Sequence, residues 1–364
     1  MHIQHTNKPL IGFSIGDING IGTELIIKAL ADNRIIEFCT PIIFANSKLI
    51  NFYRKTCSDV QFTYTQINTI AEANPKQPNV LNCWAEEVAI TPGECNEAGG
   101  KYAAVSLHAA VTALKANEIQ GLVTAPIHKN NIQSSTFTYT GHTPYLQHEF
   151  GAKDVLMFMV ADNLKVGLVT EHIAVKDVAL HLTKAAILSK IKLMHDSLRI
   201  DFGITKPRIA VLALNPHAGD DGLIGKEENE IILPTLNDAR MQNLFALGPY
   251  SADAFFARNM YEHFDGVLAM YHDQGLIPFK SLAFGEGINF TAGLPIVRTS
   301  PDHGTAFDIA GKNRANHAST LAAIFTCIDI INMRNSYAEM RNNPLKKYSK
   351  KMLANLQDER LQDM

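Results

Sequence analysis

The sequence predicts an α/β protein. Strand-length apolar runs alternate with helix-length amphipathic stretches from end to end, and that alternation points to largely parallel sheets. The 364 residues suggest about two domains. No Gly-, Ser- or Pro-rich linker separates them, so the chain is expected to cross between domains more than once.

The elements follow in order. LIGFSI (10–15) reads as the first strand, followed by the glycine-bearing turn GDINGIGTE (16–24) and a helix through residues 24–31. PIIFAN (41–46) is the next strand. Residues 65–100 read as irregular, with Pro75, Pro78 and Pro92. Helix returns over 101–116, where Ala103, Leu107, Ala110, Val111 and Leu114 recur at helical spacing. The strand GLVTAP (121–126) follows. The middle of the chain holds VLMFMVA (155–161), KVGLVT (165–170), a helix over 183–198, RIAVLAL (208–214), a helix near 227–241 and GVLAM (266–270). A last helix over 318–332 precedes a polar tail that reads as a solvated amphipathic helix.

Composition excludes several classes. The chain is 46% hydrophobic and 19% charged, as in ordinary globular proteins. A net charge of −3 argues against a nucleic-acid footprint or a polybasic membrane patch. No apolar stretch has membrane-spanning length, and no secretory signal is visible at the start, so a cytoplasmic protein is expected. The five cysteines are scattered without a CxxC pair, which favours reduced thiols, all five indifferent.

Three histidines each stand just past a strand: His172 in KVGLVTEHI, His217 in RIAVLALNPHAG and His272 in GVLAMYHDQG. Ligands of open α/β sheets bind outside the carboxyl ends of strands, and imidazole is the commonest metal ligand. Together the three suggest a catalytic ion with open positions for substrate. Asp273 is a candidate acceptor to orient one ring, and Glu171 either does the same for His172 or is indifferent. A second group suits an anion. His142 and Thr143 in TGHTPYLQ precede a helical stretch, Lys280, Asn289 and Arg298 come later, and Lys129 in TAPIHKNN is a candidate phosphate contact. A plain N-cap by Thr140 or Thr143 is the simpler alternative. Glycines 16, 20 and 22 fit neither GxGxxG nor the Walker A spacing, so turn geometry explains them better. In TSPDHGTAFDIAGKNRAN (299–316), His303 and Gly304 read as opening a short helix, and the turn 311–316 can approach a flat ring.

That last segment resembles the dinucleotide loop of isocitrate and isopropylmalate dehydrogenases. With TAPIHK, FTYTGHT, TEHIAVKDV, LNPHAG, LAMYHDQGLIPFK and GINFTAGLPIVRTSPDHGTAFDIAG, the chain from about Leu10 to Asn332 resembles the 4-hydroxythreonine-4-phosphate dehydrogenase family. The resemblance implies two three-layer α/β/α domains with an active-site cleft between them: a dinucleotide-binding domain of residues 1–133 plus 299–364, and a metal, substrate and dimerisation domain of 134–298. It implies a homodimer whose metal site is shared across the interface, so that His172, His217 and His272 need not meet within one chain. Metal ligands fall on those three, and substrate contacts on His142, Thr143, Lys280, Asn289 and Arg298. Asp253 matches an active-site aspartate, with Asp253, His142 and Lys280 the candidate proton acceptors. His303, Gly304, Thr305, Gly311, Asn313 and Asn316 would hold NAD or NADP.

The implied reaction is metal-dependent oxidation of 4-phosphooxy-L-threonine to 2-amino-3-oxo-4-phosphooxybutanoate, then loss of CO2 to 3-amino-2-oxopropyl phosphate. Zinc, magnesium, cobalt and manganese all suit imidazole ligands to some degree. The chain departs from the family turn GDPAGIGPE at Ile18, Asn19 and Thr23. The rival readings are a dehydrogenase of threonate or erythronate 4-phosphate, a metal-dependent hydrolase and a non-catalytic phosphate-binding protein. The hydrolase has no use for a dinucleotide loop, and the binding protein leaves the strand-end histidines unexplained.

Overall fold

The computed structural model describes residues 8–283 and 285–342. Twelve strands run along the chain: β1 (Leu10–Ser14), β2 (Thr40–Ala45), β3 (Thr65–Ile67), β4 (Asn79–Asn82), β5 (Gly121–Thr124), β6 (Leu156–Ala161), β7 (Leu164–Leu168), β8 (Arg208–Leu212), β9 (Phe245–Tyr250), β10 (Gly266–Ala269), β11 (Ile288–Ala292) and β12 (Val297–Pro301). They form one continuous sheet in the order β3-β4-β2-β1-β5-β12-β11-β6-β7-β10-β8-β9. The expected α/β architecture is present. The domain boundary expected at 298/299 falls inside β12, which pairs with β5 on one side and β11 on the other.

The sheet has two parallel wings and an antiparallel seam. One wing runs from β3 to β12 and the other from β7 to β9. Between them, β12–β11, β11–β6 and β6–β7 are antiparallel. The expectation of largely parallel pairing therefore fails at the centre, for a local reason. Only Asp162 and Asn163 separate β6 from β7, a two-residue connection that can close only an antiparallel hairpin. In the wings, β1, β2 and β5 are buried on both faces, as expected of strands covered by helices on either side.

Helices begin where polar caps allow. Asn96 accepts from the Gly99 amide at 3.1 Å and starts the helix Glu97–Lys115, four residues earlier than apolar spacing predicts. Thr183 caps Lys184–Ile200. Several expectations need correction. The edge strand β3 and its neighbour β4 lie in the stretch read as irregular, too short to show an alternation of period two. The opposite edge strand β9 holds Gly248 and Pro249, tolerated there because an edge does not need every amide as a donor. Residues 303–306 form no helix, and the last helix is Ala318–Asn342. The polar tail from 343 onward lies outside the described residues.

Gly16 has φ +68°, and a Cβ there would stand 2.1 Å from the Pro126 carbonyl oxygen, so this turn position accepts only glycine. Among the described residues no helix is long and apolar enough to cross a membrane. The five cysteines are unpaired. Burial pushes the Cys39, Cys57, Cys83 and Cys327 thiols up to about 12, whereas Cys95 is exposed, 3.4 Å from His128 Nδ1. The expectation of buried or indifferent cysteines is met by burial at Cys39, Cys57 and Cys327.

Candidate active site

A cleft of about 710 Å³ lies over one face of the seam. Pairing of Asn289 with Ser300, of Arg298 with Leu122 and of Thr291 with Met157 places Met157, Asn289, Arg298, Ser300 and Thr124 on the same face, by the alternation of strand side chains. The floor therefore runs from within the strands, at Met157, Asn289 and Arg298, to the carboxyl ends of β5 and β12, at Thr124 and Ser300. The helix His142–Glu149 and Lys280 of the helix His272–Leu282 contribute to its walls.

Arg298 is 4% exposed, and no carboxylate pairs with it among the described residues. Its Nε and Nη2 donate to Thr124 Oγ1 at 3.0 and 2.6 Å, and Nη1 donates to Thr291 Oγ1 at 3.2 Å. Burial pushes its pKa down to about 10. A buried cation without a counter-ion is costly unless an anion arrives to pair with it. Its neighbours are prepared for the same ligand. His142 is the first residue of its helix, and that helix has no side-chain cap, so neither Thr140 nor Thr143 takes the simpler N-cap role. Uncapped N-terminal amides attract anions. The buried polar atoms without a partner include His142 Nε2, Asn289 Oδ1 and His303 Nε2, all in this one cleft. A polar ligand in the cleft would give these three atoms the partners that buried polar groups need.

Burial, then the charge of Arg298, holds the His142 pKa well below 6.5. The unfolded chain takes up the proton first, so the stability that neutral His142 contributes is full above about pH 6.5 and is lost as pH falls below it. We expect His142→Gln to show a smaller drop in thermal midpoint than the wild type between pH 7.5 and 5.5. Parallel melting curves for the two proteins would exclude this account.

The cleft also holds Asp154, Lys190 and Asp302, which sequence reading passed over, beside the expected Lys280 and Glu171. Lys190 reaches Asp154 at 2.7 Å, and Lys280 reaches Asp302 at 3.3 Å. Burial raises the carboxyl of Asp302. Glu171 lines the same cleft, its carboxyl raised by burial. Its Oε1 accepts from the Met157 amide at 3.3 Å, and its Oε2 stays 4.0 Å from His172, too far to orient that ring. Asp154 and Lys190 form a pair between elements far apart in sequence, which no local signal reveals.

The histidines divide unevenly. The rings of His172 and His272 lie 5.7 Å apart between centroids. His272 Nδ1 is 2.7 Å from Asp273 Oδ1, the expected orienting contact, which leaves Nε2 free. Burial lowers the His172 pKa, aided by Lys129 and His272, which favours the neutral ring a metal needs. His217 instead lines a second pocket of about 540 Å³ with Ser251, Asp253, Tyr271 and Asp273. Among the described residues no three His, Cys, Asp or Glu side chains gather to hold an ion within one chain. Asp253 accepts from Ser251 Oγ at 2.6 Å, and this bond and the Ala254 amide hold its carboxyl below the usual range. It is consequently a weak base.

The backbone carrying His217 is unusual. Residues 217–222 all have positive φ, from 45° to 96°, and four of them are not glycine. Left-handed helical conformation costs about 1–2 kcal/mol for each such residue, less for aspartate. The stretches that follow the three histidines expose large apolar side chains among charged ones such as Lys176, Asp220 and Asp221. Val175 and Leu180 after His172, Leu223 and Ile224 after His217, and Ile277 and Leu282 after His272 are 47–83% exposed.

The segment 303–316 borders the cleft through His303 and Gly304. It is pinned to the first turn. The Ile21 amide donates to the Thr305 carbonyl at 3.0 Å, and the Ala315 amide donates to Glu24 Oε1 at 2.9 Å. Glu24 and Lys28 form a buried pair at 2.8 Å, and Lys28 Nζ also donates to the Ala315 carbonyl at 3.1 Å. Their spacing of four on one helix was the available sequence signal. Asn313 Nδ2 donates to Asp59 at 2.7 Å while its Oδ1 is buried without a partner. Asn316 Oδ1 accepts from the Ala318 amide and so caps the last helix.

Comparison with known proteins follows the same lines. Residues 37–327 match the family described as pyridoxal phosphate biosynthetic protein PdxA. The chain is 46% identical to the 4-hydroxythreonine-4-phosphate dehydrogenase of Bacteroides thetaiotaomicron, over 94% of each chain. It is 39% identical to that of Aquifex aeolicus, over 88% of this chain and 98% of the relative. The solved structure of the Klebsiella pneumoniae enzyme of that name superimposes with a TM-score of 0.76 at 32% identity, covering 89% of this chain and all of the other.

Proposed function

Because the chain belongs to the PdxA family of 4-hydroxythreonine-4-phosphate dehydrogenases, we propose that its cleft oxidises 4-phosphooxy-L-threonine with a nicotinamide cofactor and then releases CO2, giving 3-amino-2-oxopropyl phosphate. The observation that carries this reading is the buried, carboxylate-free Arg298 beside His142, in a cleft that opens on the 303–316 segment. Arg298, the amides at the start of the His142 helix, Thr143 and Lys280 hold the phosphate, and Asn289 fixes the rest of the substrate by its free Oδ1. Residues 303–305, 311, 313 and 316, in the half formed by 1–133 and 299–364, carry NAD or NADP. Residues 134–298 carry metal and substrate.

His172, His217 and His272 suit a divalent ion chemically: one ring is held neutral by burial and another is oriented by Asp273. One chain gathers only two of them, and the apolar rim supports completion by a second copy in a homodimer. When bound, zinc, magnesium, cobalt or manganese supplies Lewis acidity at the substrate alcohol and at the enolate left by decarboxylation. His142 and Asp253 are both weak bases here, so either can take a proton only from an alcohol that is already acidified. Lys280 is shared with Asp302.

The test is NAD(P)H formation from 4-phosphooxy-L-threonine, threonate 4-phosphate and erythronate 4-phosphate, with and without a chelator. We expect turnover of the first alone, abolished by chelation. Turnover of a sugar-acid phosphate in its place overturns the substrate assignment.

A further inference from the structure

His217 stands at the start of a six-residue stretch of left-handed backbone, and such a path needs something to hold it. The side chain positioned to do so is Glu228, 2% exposed, on a single π turn formed by Glu228–Ile232. Oε1 accepts the Leu214 and Asn215 amides at 2.8 Å each. Oε2 accepts Asn215 Nδ2 at 2.9 Å, which also donates to Glu227 at 2.8 Å. The same carboxylate presses on the middle of the stretch, since a Cβ on Gly219 would stand 2.6 Å from Glu228 Oε2. One buried group therefore bonds the chain two and three residues before His217 and lies close against Gly219, two residues after it. The π turn adds a residue to the helix and, like most π turns, marks a place where register matters for function.

We propose that Glu228 is a positioning residue for His217. Its carboxylate fixes the strand-to-coil junction and the left-handed path, and so sets where the imidazole stands relative to the ion and the other subunit. This rests on the reading of His217 as a metal ligand. Glu228 itself faces backbone amides and touches no reacting atom.

The experiment compares wild type, Glu228→Ala, Glu228→Gln, Gly219→Ala and His217→Ala by equilibrium Co2+ binding and by the visible absorption of the Co2+ protein. Circular dichroism serves as the folding check. Glu228→Ala is expected to bind Co2+ roughly 10- to 100-fold more weakly with a changed absorption band, the scale typical of groups that support a ligand. Glu228→Gln keeps an acceptor for the two amides and should restore most of the affinity. Gly219→Ala, which drives a methyl into the carboxylate, should weaken binding while leaving Glu228 in place. If Glu228→Ala does not fold, the other two variants decide. Wild-type affinity and absorption in Glu228→Ala, or in both Glu228→Gln and Gly219→Ala, overturns the proposal. Should His217→Ala bind Co2+ like the wild type, the ligand reading itself falls. Loss in His217→Ala with none in the Glu228 and Gly219 variants removes only the positioning role.

Discussion

Arg298→Met is expected to lose turnover of the phosphorylated substrate without losing stability. Removing one partner of a buried, hydrogen-bonded charge pair costs about 2–5 kcal/mol of binding, or roughly thirtyfold to a few thousandfold in kcat/KM. On the proposed reading the guanidinium holds the substrate and takes no part in the chemistry, so the loss should fall mainly on KM. Stability should move the other way or not at all. In the free protein this cation has only two threonine hydroxyls as partners, and exchanging such a group for an apolar one of similar volume is often neutral or stabilising. Arg298→Lys keeps the charge but loses the planar fork, so it should recover only part of the activity. Steady-state kinetics with thermal melts decide the matter. An unchanged KM, or a melting point several degrees lower, would mean that Arg298 serves the fold and has no part in holding an anion.

His217→Ala should bring activity to the background while the protein stays folded. The Lewis acidity at stake is worth several kcal/mol, so the rate should drop on the order of 10³-fold or more. Alanine keeps a Cβ on the left-handed backbone, so the strain of that stretch is little altered. His217 is exposed in the single chain, and no core packing is lost. Metal content measured beside activity gives the decisive comparison. Retained stoichiometry with normal turnover would remove His217 from the ligand set.

Much of this was legible in the sequence, for identifiable reasons. Long parallel strands are apolar throughout, so β1, β2, β5 and β8 stand out. The three histidines stand out because each ends such a run. Asn289, Arg298 and His142 were named as anion binders from local context and again through motif resemblance, and the structure brings them into one cleft with Thr143 and Lys280. Their strand phase was not evident, because β11 and β12 form a hairpin whose antiparallel pairing changes which face each residue shares. Strands β3, β4 and β9 escaped notice because β3 and β4 have only three and four residues and β9 is broken by Gly248 and Pro249, so none carries a usable period. The supporting carboxylate Glu228 was also hidden, and the role of Glu171 was left open between orienting His172 and none. A buried glutamate looks like a surface one until the amides or lysine that satisfy it are seen.

The continuous seam also limits how the cleft can close. Its floor is hydrogen-bonded sheet from β5 through β12 and β11 to β6, three ladders in a row, so the two wings cannot swing apart like the covers of a book without disrupting that sheet. The freedom left is a wringing motion of the sheet about its own twist, together with sliding of the helices that form the walls. In that motion Arg298 is the fixed jaw of a vice. The substrate is gripped first by a rigid floor, and any narrowing around it is done by the walls moving down onto it.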